Sequence, residues 1–149
     1  RGSSWTGWSE IAAVAEQQEE KLDVEDGVEG NVFFFAADYK DSAQLTRALR
    51  VLQAAGDAGH PLEPTLAQNV LGEQALQFDH WEPPAHHIGQ HAIFVLPRAG
   101  DRTEVVDKVR ARFSSIELVQ QVTVERLGID VLRADVYVCR DYRGPQPQR

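Results

Sequence analysis

The sequence predicts an α/β domain in three layers, with a mainly parallel sheet flanked by helices and a C-terminal antiparallel β-hairpin. Two short apolar runs, residues 32–37 and 92–96, have the composition of strands that are buried on both faces. A segment with helical spacing of its apolar residues follows each run, which is the order of parallel βαβ units. The last third of the chain instead alternates around residues 127–130, as a hairpin does.

A single domain is predicted over residues 7–144, with a lead-in at residues 1–6 and a tail at residues 145–149. A chain of 149 residues is long enough to bury one substantial core. The net charge of -8 argues against a nucleic-acid partner, because phosphate binding requires clustered lysine and arginine. The lone cysteine, Cys139, excludes an intramolecular disulfide. We interpret the start at Arg1 and the absence of methionine as signs of a processed chain or an excised domain.

Helices are predicted at three places. The first covers residues 8–22, where apolar residues recur at helical spacing, and the third covers residues 103–113. The second covers residues 41–55 and is capped by Asp41 or Ser42. Its apolar stripe is expected to cover the sheet.

Strands are predicted at both apolar runs and in the last third. Residues 32–37 are expected to form the central strand, and residues 65–71 are a weaker candidate for a strand beside it. Residues 116–127 and 129–142 are rich in valine and alternate, so they are expected to pair as a hairpin that extends one edge of the sheet.

The turn after the first strand holds the first ligand-binding candidates, Asp38, Tyr39 and Lys40. In open α/β sheets, ligands bind at the carboxyl ends of the strands. Asp38 is suited to a hydroxyl-rich ligand and Lys40 to an anion, which the first amides of the following helix would also favour. The turn lacks the glycine-rich motifs that cradle phosphates, and a purely structural helix cap is the alternative.

The irregular segment at residues 72–90 holds two further ligand-binding candidates, Asp79 and Trp81. An indole ring can stack on a sugar while a neighbouring carboxylate accepts hydrogen bonds from its hydroxyls. Trp81 is equally well explained as an anchor that pins this loop to the core.

Four histidines that lie within twelve positions are weak candidates for metal ligands: His80, His86, His87 and His91. Pro83 and Pro84 interrupt the segment, and no HExxH pattern is present. We therefore predict solvated loop histidines, with no metal and no cofactor. No GxSxG motif or convincing catalytic triad is present, so no catalytic residue is predicted.

Six short segments then suggest a family by their order: Gly7-Trp8-Ser9-Glu10, Ala37-Asp38-Tyr39-Lys40, Gln77-Phe78-Asp79-His80-Trp81, residues 89–95, Ser115-Ile116-Glu117-Leu118 and residues 136–144. In this order they resemble the soluble C-terminal domain of bacterial membrane glycosyltransferases, such as dolichyl-phosphate-mannose protein mannosyltransferases and the lipid A aminoarabinose transferase. The resemblance extends over residues 7–144.

The resemblance implies a polytopic membrane enzyme that moves a sugar from a polyprenyl-phosphate carrier to a lipid or protein acceptor. The catalytic acidic residues of that family lie in its membrane portion, so none is carried over to this chain. The implied partners are the membrane-embedded portion of the same polypeptide and the lipid-linked sugar or acceptor. The implied location is the extracytoplasmic, periplasmic face of the membrane. The expected role is accessory: capping the enzyme or contacting the acceptor.

Two alternatives stay open. The first is a free-standing small-ligand-binding or regulatory α/β domain that uses the carboxyl edge of the sheet. The second is a small metal-dependent enzyme built on His80, His86, His87 and His91.

Overall fold

The computed structural model describes residues 7–26, 32–54, 65–66, 68–71, 84–97 and 102–145. The α-helices of this part are α1 (Trp8–Asp26), α2 (Tyr39–Ala54) and α3 (Thr103–Arg110). The strands are β1 (Val32–Phe35), β2 (Thr65–Leu66), β3 (His91–Pro97), β4 (Phe113–Arg126) and β5 (Ile129–Tyr142). Two short 3-10 turns, η1 (Gln68–Leu71) and η2 (Pro84–His87), lie between β2 and β3.

The strands form one mixed sheet in the order β2-β1-β3-β5-β4. Strand β1 is parallel to β2 and β3, whereas β5 is antiparallel to both β3 and β4. Apart from the two-residue β2, the described sheet therefore has four strands with one parallel pair, and its other pairs are antiparallel.

The prediction of a three-layer, mainly parallel sheet flanked by helices is therefore wrong. The physical reason is strand length: β4 and β5 have 14 residues each, while β1 has 4. Most of the hydrogen-bonded ladder is thus antiparallel. Helical cover is also unequal, because α1 and α2 pack on one face while the other face has only the 8-residue α3 and the short 3-10 turns among its described helical elements.

The C-terminal hairpin is confirmed, and it starts at Phe113 rather than at residue 116. Its strands are joined at Leu127 and Gly128, which have φ values of 55° and 77°. Positive φ at both turn residues is the geometry of a type I′ turn, whose twist matches that of the paired strands.

The central strand is β3 and not the run at residues 32–37. All four residues of β1 are buried as predicted. However, β1 is the second strand from the edge of the sheet, because only the two-residue β2 lies beyond it. Strand β3 lies between β1 and β5, and residues 92–96 are buried throughout. The predicted strand at 65–71 ends at Leu66, because the chain turns into η1 at Gln68.

One face of the sheet is covered by α1 and α2. Their core contacts use the predicted apolar stripes, including Ile11 and Leu45, and meet Phe34 and Ile93 of the sheet. Helix α1 comes close to the hairpin at Gly7: a Cβ there would lie 3.1 Å from Cγ1 of Val124. Gly7 also has φ 97°, so glycine is required for both reasons.

The other face is built on a cluster of aromatic rings. The rings of Phe35 and Phe94 stack with centroids 4.7 Å apart, and Phe35 stacks on Phe113 at 5.8 Å. Tyr142 packs edge-on to Phe33 at 5.5 Å, and its hydroxyl donates a hydrogen bond to the carbonyl of Val70 at 2.7 Å. The cluster thereby connects β1, β3 and both strands of the hairpin.

The buried side chain of Ser42 connects α2 to β2 and to the end of β1 by hydrogen bonds, and we predict that Ser42→Ala destabilises the protein. Its hydroxyl donates to the carbonyl of Leu66 at 2.8 Å and accepts from the amide of Ala36 at 3.3 Å. The alanine variant leaves these buried groups without that partner, so we expect the free energy of unfolding to fall by about 1–3 kcal/mol in urea titrations.

The matched control is Ser114→Ala, since the hydroxyl of Ser114 donates to the carbonyl of Arg140 at 3.0 Å in an exposed position. Water replaces that bond, and the expected change is within about 0.5 kcal/mol. Equal losses in the two variants would contradict the role assigned to Ser42.

Candidate functional site

The carboxyl ends of β1 and β3, which are adjacent and parallel, lie at one edge of the sheet, and we call the space between the connections that follow them the crevice. After β1 the chain enters α2, which packs on the face shared with α1. After β3 it enters α3, whose Val109 packs on the aromatic face. Two neighbouring parallel strands with connections to opposite faces form a topological switch point, where open α/β sheets bind ligands. This crevice is the candidate site.

Asp38 caps α2 at one side of the crevice. Its Oδ1 accepts a hydrogen bond from the amide of Asp41 at 2.8 Å, and its carbonyl accepts from the amide of Ser42 at 3.0 Å. The helix therefore begins at Tyr39, and the prediction that Asp41 or Ser42 caps it is wrong. The cap is Asp38 because its carboxylate reaches the third amide of the helix, the usual N-cap geometry.

Asp41 forms a carboxyl pair with Asp38. Burial, the negative charge of Asp38 and a side-chain hydrogen bond with Asp38 together raise the pKa of Asp41 to about 6, and burial has the largest effect. Two carboxyl groups this close do not both ionise readily. Near neutral pH the pair thus holds a proton in part of the molecules, and it offers both a hydrogen-bond donor and acceptors.

Arg102 lies across the crevice, directly before α3. Its positive charge lowers the pKa of Asp41, opposing the larger effect of burial. Its Nε is buried and forms no hydrogen bond within the described part of the chain. The crevice thus has a carboxyl pair on one side and a guanidinium on the other.

The sequence interpretation missed two members of this set. The sequence pattern predicts Asp41 only as a helix cap and does not single out Arg102. Arg102 follows β3 as Asp38 follows β1, so the rule that selects Asp38 also admits Arg102, together with the other polar residues between β3 and α3.

The other predicted ligand-binding residues are placed only in part. Lys40 is exposed on the first turn of α2, beside the crevice. The backbone of Tyr39 begins the helix, but its side chain lies outside the described part, as do Asp79 and Trp81. Ligand binding by Asp79 and Trp81 therefore stays a prediction.

The described histidines lie at the opposite edge of the sheet, because η2 precedes β3 and His91 is the first residue of β3. His87 is buried, with Nδ1 2.6 Å from Oε1 of Gln90 and its ring 5.0 Å from Phe33. Nδ1 of His91 accepts from the amide of Asp141 at 3.1 Å, and His86 is exposed. His80 lies outside the described residues. Over the described ranges, no three His, Cys, Asp or Glu side chains are grouped to hold a metal ion.

Comparison of the chain with protein-family models, with curated proteins and with solved structures found no match. Within the ranges that the structure describes, no helix has both the length and the apolar character needed to cross a bilayer. The relationship to membrane glycosyltransferases stays a prediction.

The raised pKa of Asp41 predicts a pH-dependent loss of stability. Because the pKa of Asp41 is about 6 in the folded state and has its ordinary value of 3.8 in the unfolded state, the folded state binds more protons between these two values. The stabilisation by protonated Asp41 is full below the lower pKa and is lost as pH rises through the upper one. We expect Asp41→Asn to remove about 1 kcal/mol of this pH dependence between pH 4 and 7, a small value because solvent reaches Asp41.

Urea titrations at several pH values measure the effect. Asp107→Asn, which neutralises an exposed carboxylate on α3, is the control for loss of one surface charge. The predicted link between protonation of Asp41 and stability is refuted if both variants keep the pH dependence of the wild type.

Proposed function

We propose that this chain is the extracytoplasmic accessory domain of a polytopic membrane glycosyltransferase, and that its crevice contacts a hydroxyl-rich acceptor or a lipid-linked sugar. The observation that carries the proposal is the pair formed by Asp38 and Asp41, which faces Arg102 at the switch point. Carboxylates accept from adjacent sugar hydroxyls, and a guanidinium donates to hydroxyl or phosphate oxygens in a fixed fork.

The positions of the family-like segments support this proposal. The segment ending in Lys40 forms one wall of the crevice, and the segment beginning at Gly7 starts α1 at the same edge, against Val124. Two other segments, residues 89–95 and 136–144, pair with each other in the ladder between β3 and β5. The segments that the structure describes thus divide between those at the crevice edge and those that pair within the sheet.

In this proposal the chain binds and does not catalyse. The acidic groups that activate the acceptor belong to the membrane-embedded portion, as the resemblance implies. The isolated chain is expected to transfer no sugar when supplied with a polyprenyl-phosphate donor and an acceptor. Turnover above the no-protein rate in a radiolabelled transfer assay would overturn the accessory role.

The second candidate is a free-standing small-ligand-binding or regulatory domain, which the same crevice favours. The gene sequence upstream of Arg1 separates the two. A series of apolar spans favours the membrane enzyme, and an initiator methionine after a few polar residues favours the free-standing domain.

Ligand binding at the crevice is tested by NMR titration of the labelled chain with neutral monosaccharides, sugar phosphates and a short-chain polyprenyl-phosphate sugar. We expect shifts at the amides of residues 38–42 and near Arg102. Each of Asp38→Asn and Arg102→Gln should weaken binding about tenfold, because each removes one charge-assisted hydrogen bond.

Arg110→Gln is the matched control, since it removes an exposed arginine from the other end of α3. Its affinity should equal that of the wild type. Absence of binding by every sugar in the panel, or equal weakening by Arg102→Gln and Arg110→Gln, would exclude the crevice as the contact site.

A further inference from the structure

The tip of the hairpin presents two apolar side chains to solvent. Leu127 is fully exposed, at 101% of its reference area, and Ile129 is 69% exposed. Gly128 lies between them. We call Leu127 and Ile129 the hairpin tip.

The turn itself does not favour leucine. Leu127 has φ 55°, a left-handed conformation that is unfavourable for bulky side chains and that type I′ turns normally give to Asn, Asp or Gly. A strained residue persists in a fold when something else compensates. Packing does not compensate here, because the side chain is fully exposed. Neither turn formation nor the core therefore accounts for Leu127.

The tip lies at the same edge of the sheet as the crevice. The last residue pair between β3 and β5 joins Pro97 to Ala134, so the hairpin beyond Ala134 projects past the carboxyl end of β3. Helix α1 holds this projecting arm in place. Gly7 packs against Val124, and the guanidinium of Arg126 donates to both carboxylate oxygens of Glu10, at 2.9 and 3.2 Å.

We propose that the hairpin tip inserts into the interfacial region of a lipid bilayer and thereby turns the crevice edge toward the membrane. This inference rests on the proposed function, because a crevice that faces the membrane can contact a lipid-linked sugar. The physical basis is the tip alone.

A bilayer fits this surface better than a protein partner does. The exposed neighbours behind the tip are the charged Glu125 and Arg126, so the apolar surface is a narrow convex knob. A stable protein interface buries on the order of 800 Å² of each partner, which two side chains do not provide. A bilayer interface accepts isolated leucine and isoleucine side chains without complementary shape, and the charged neighbours limit the depth of insertion. The net charge of -8 gives no attraction to anionic lipids.

The experiment is co-flotation of the chain with phosphatidylcholine vesicles and with vesicles that also contain phosphatidylglycerol. We expect weak binding that is stronger to the neutral vesicles. Leu127→Asn should reduce binding about tenfold while thermal stability stays equal or rises, because Asn suits the turn. Poor folding of the variant therefore cannot account for the loss of vesicle binding. Ile129→Thr should also reduce vesicle binding.

The matched control is Val24→Gln, which removes an 84% exposed apolar side chain near the far end of α1 and should leave vesicle binding unchanged. Undiminished binding by Leu127→Asn overturns the inference. Self-association of the chain without vesicles, measured by sedimentation velocity and abolished by Leu127→Asn, also overturns the inference. In that case the hairpin tip binds a second copy of the chain. Sugar titration separates the two proposals: sugar binding without vesicle binding refutes only the bilayer contact, and the reverse refutes only the crevice.

Discussion

The antiparallel pairing of β3 with β5 is the contact on which the rest of the structure depends. It joins Ala92 to Cys139 at one end and Pro97 to Ala134 at the other. On one side of this contact β1 pairs with β3, and on the other side β4 pairs with β5 in the hairpin. Four residues of β1 and two of β2 are too few to close a core by themselves, and the aromatic cluster is complete only when Phe113 and Tyr142 reach Phe33 and Phe35.

The direction of this pairing also decides what each edge of the sheet contains. Because β5 runs against β3, its first residues lie at the carboxyl end of β3, beside the positions of Asp38 and Arg102. The last residues of β5 lie at the other edge, where the amide of Gly89 donates to Tyr142 and the amide of Tyr142 donates to Gln90, at 2.7 and 2.8 Å. Reversing the strand would separate the hairpin tip from the crevice.

The sequence predicted what depends on local pattern and missed what depends on distant pairing. The buried strands around Phe34 and Phe94, the stripe of α2 and the hairpin follow from spacing and composition, which neighbouring residues determine. Strand direction does not, because an apolar run has the same composition in a parallel or an antiparallel pair. The helix start was misplaced because Asp38 and Asp41 are both suitable caps, and only the backbone geometry shows which one accepts the bond. Asp38 was found as a site residue from its place after a strand, whereas its pairing with Asp41 and its position opposite Arg102 require the fold.

Three departures from local preference lie at the crevice edge. At the crevice edge, a carboxyl group with a raised pKa lies beside another carboxyl, the buried Nε of Arg102 forms no hydrogen bond with described residues, and Leu127 has positive φ. At the opposite edge the unusual features are satisfied. Asp141 also has positive φ, but aspartate tolerates that conformation and its amide donates to His91. Arg112 donates there to the carbonyls of Leu71 and Pro145, at 2.8 and 3.1 Å. Since departures from local preference without a structural gain concentrate at functional sites, the crevice edge is where a ligand and a surface should be sought.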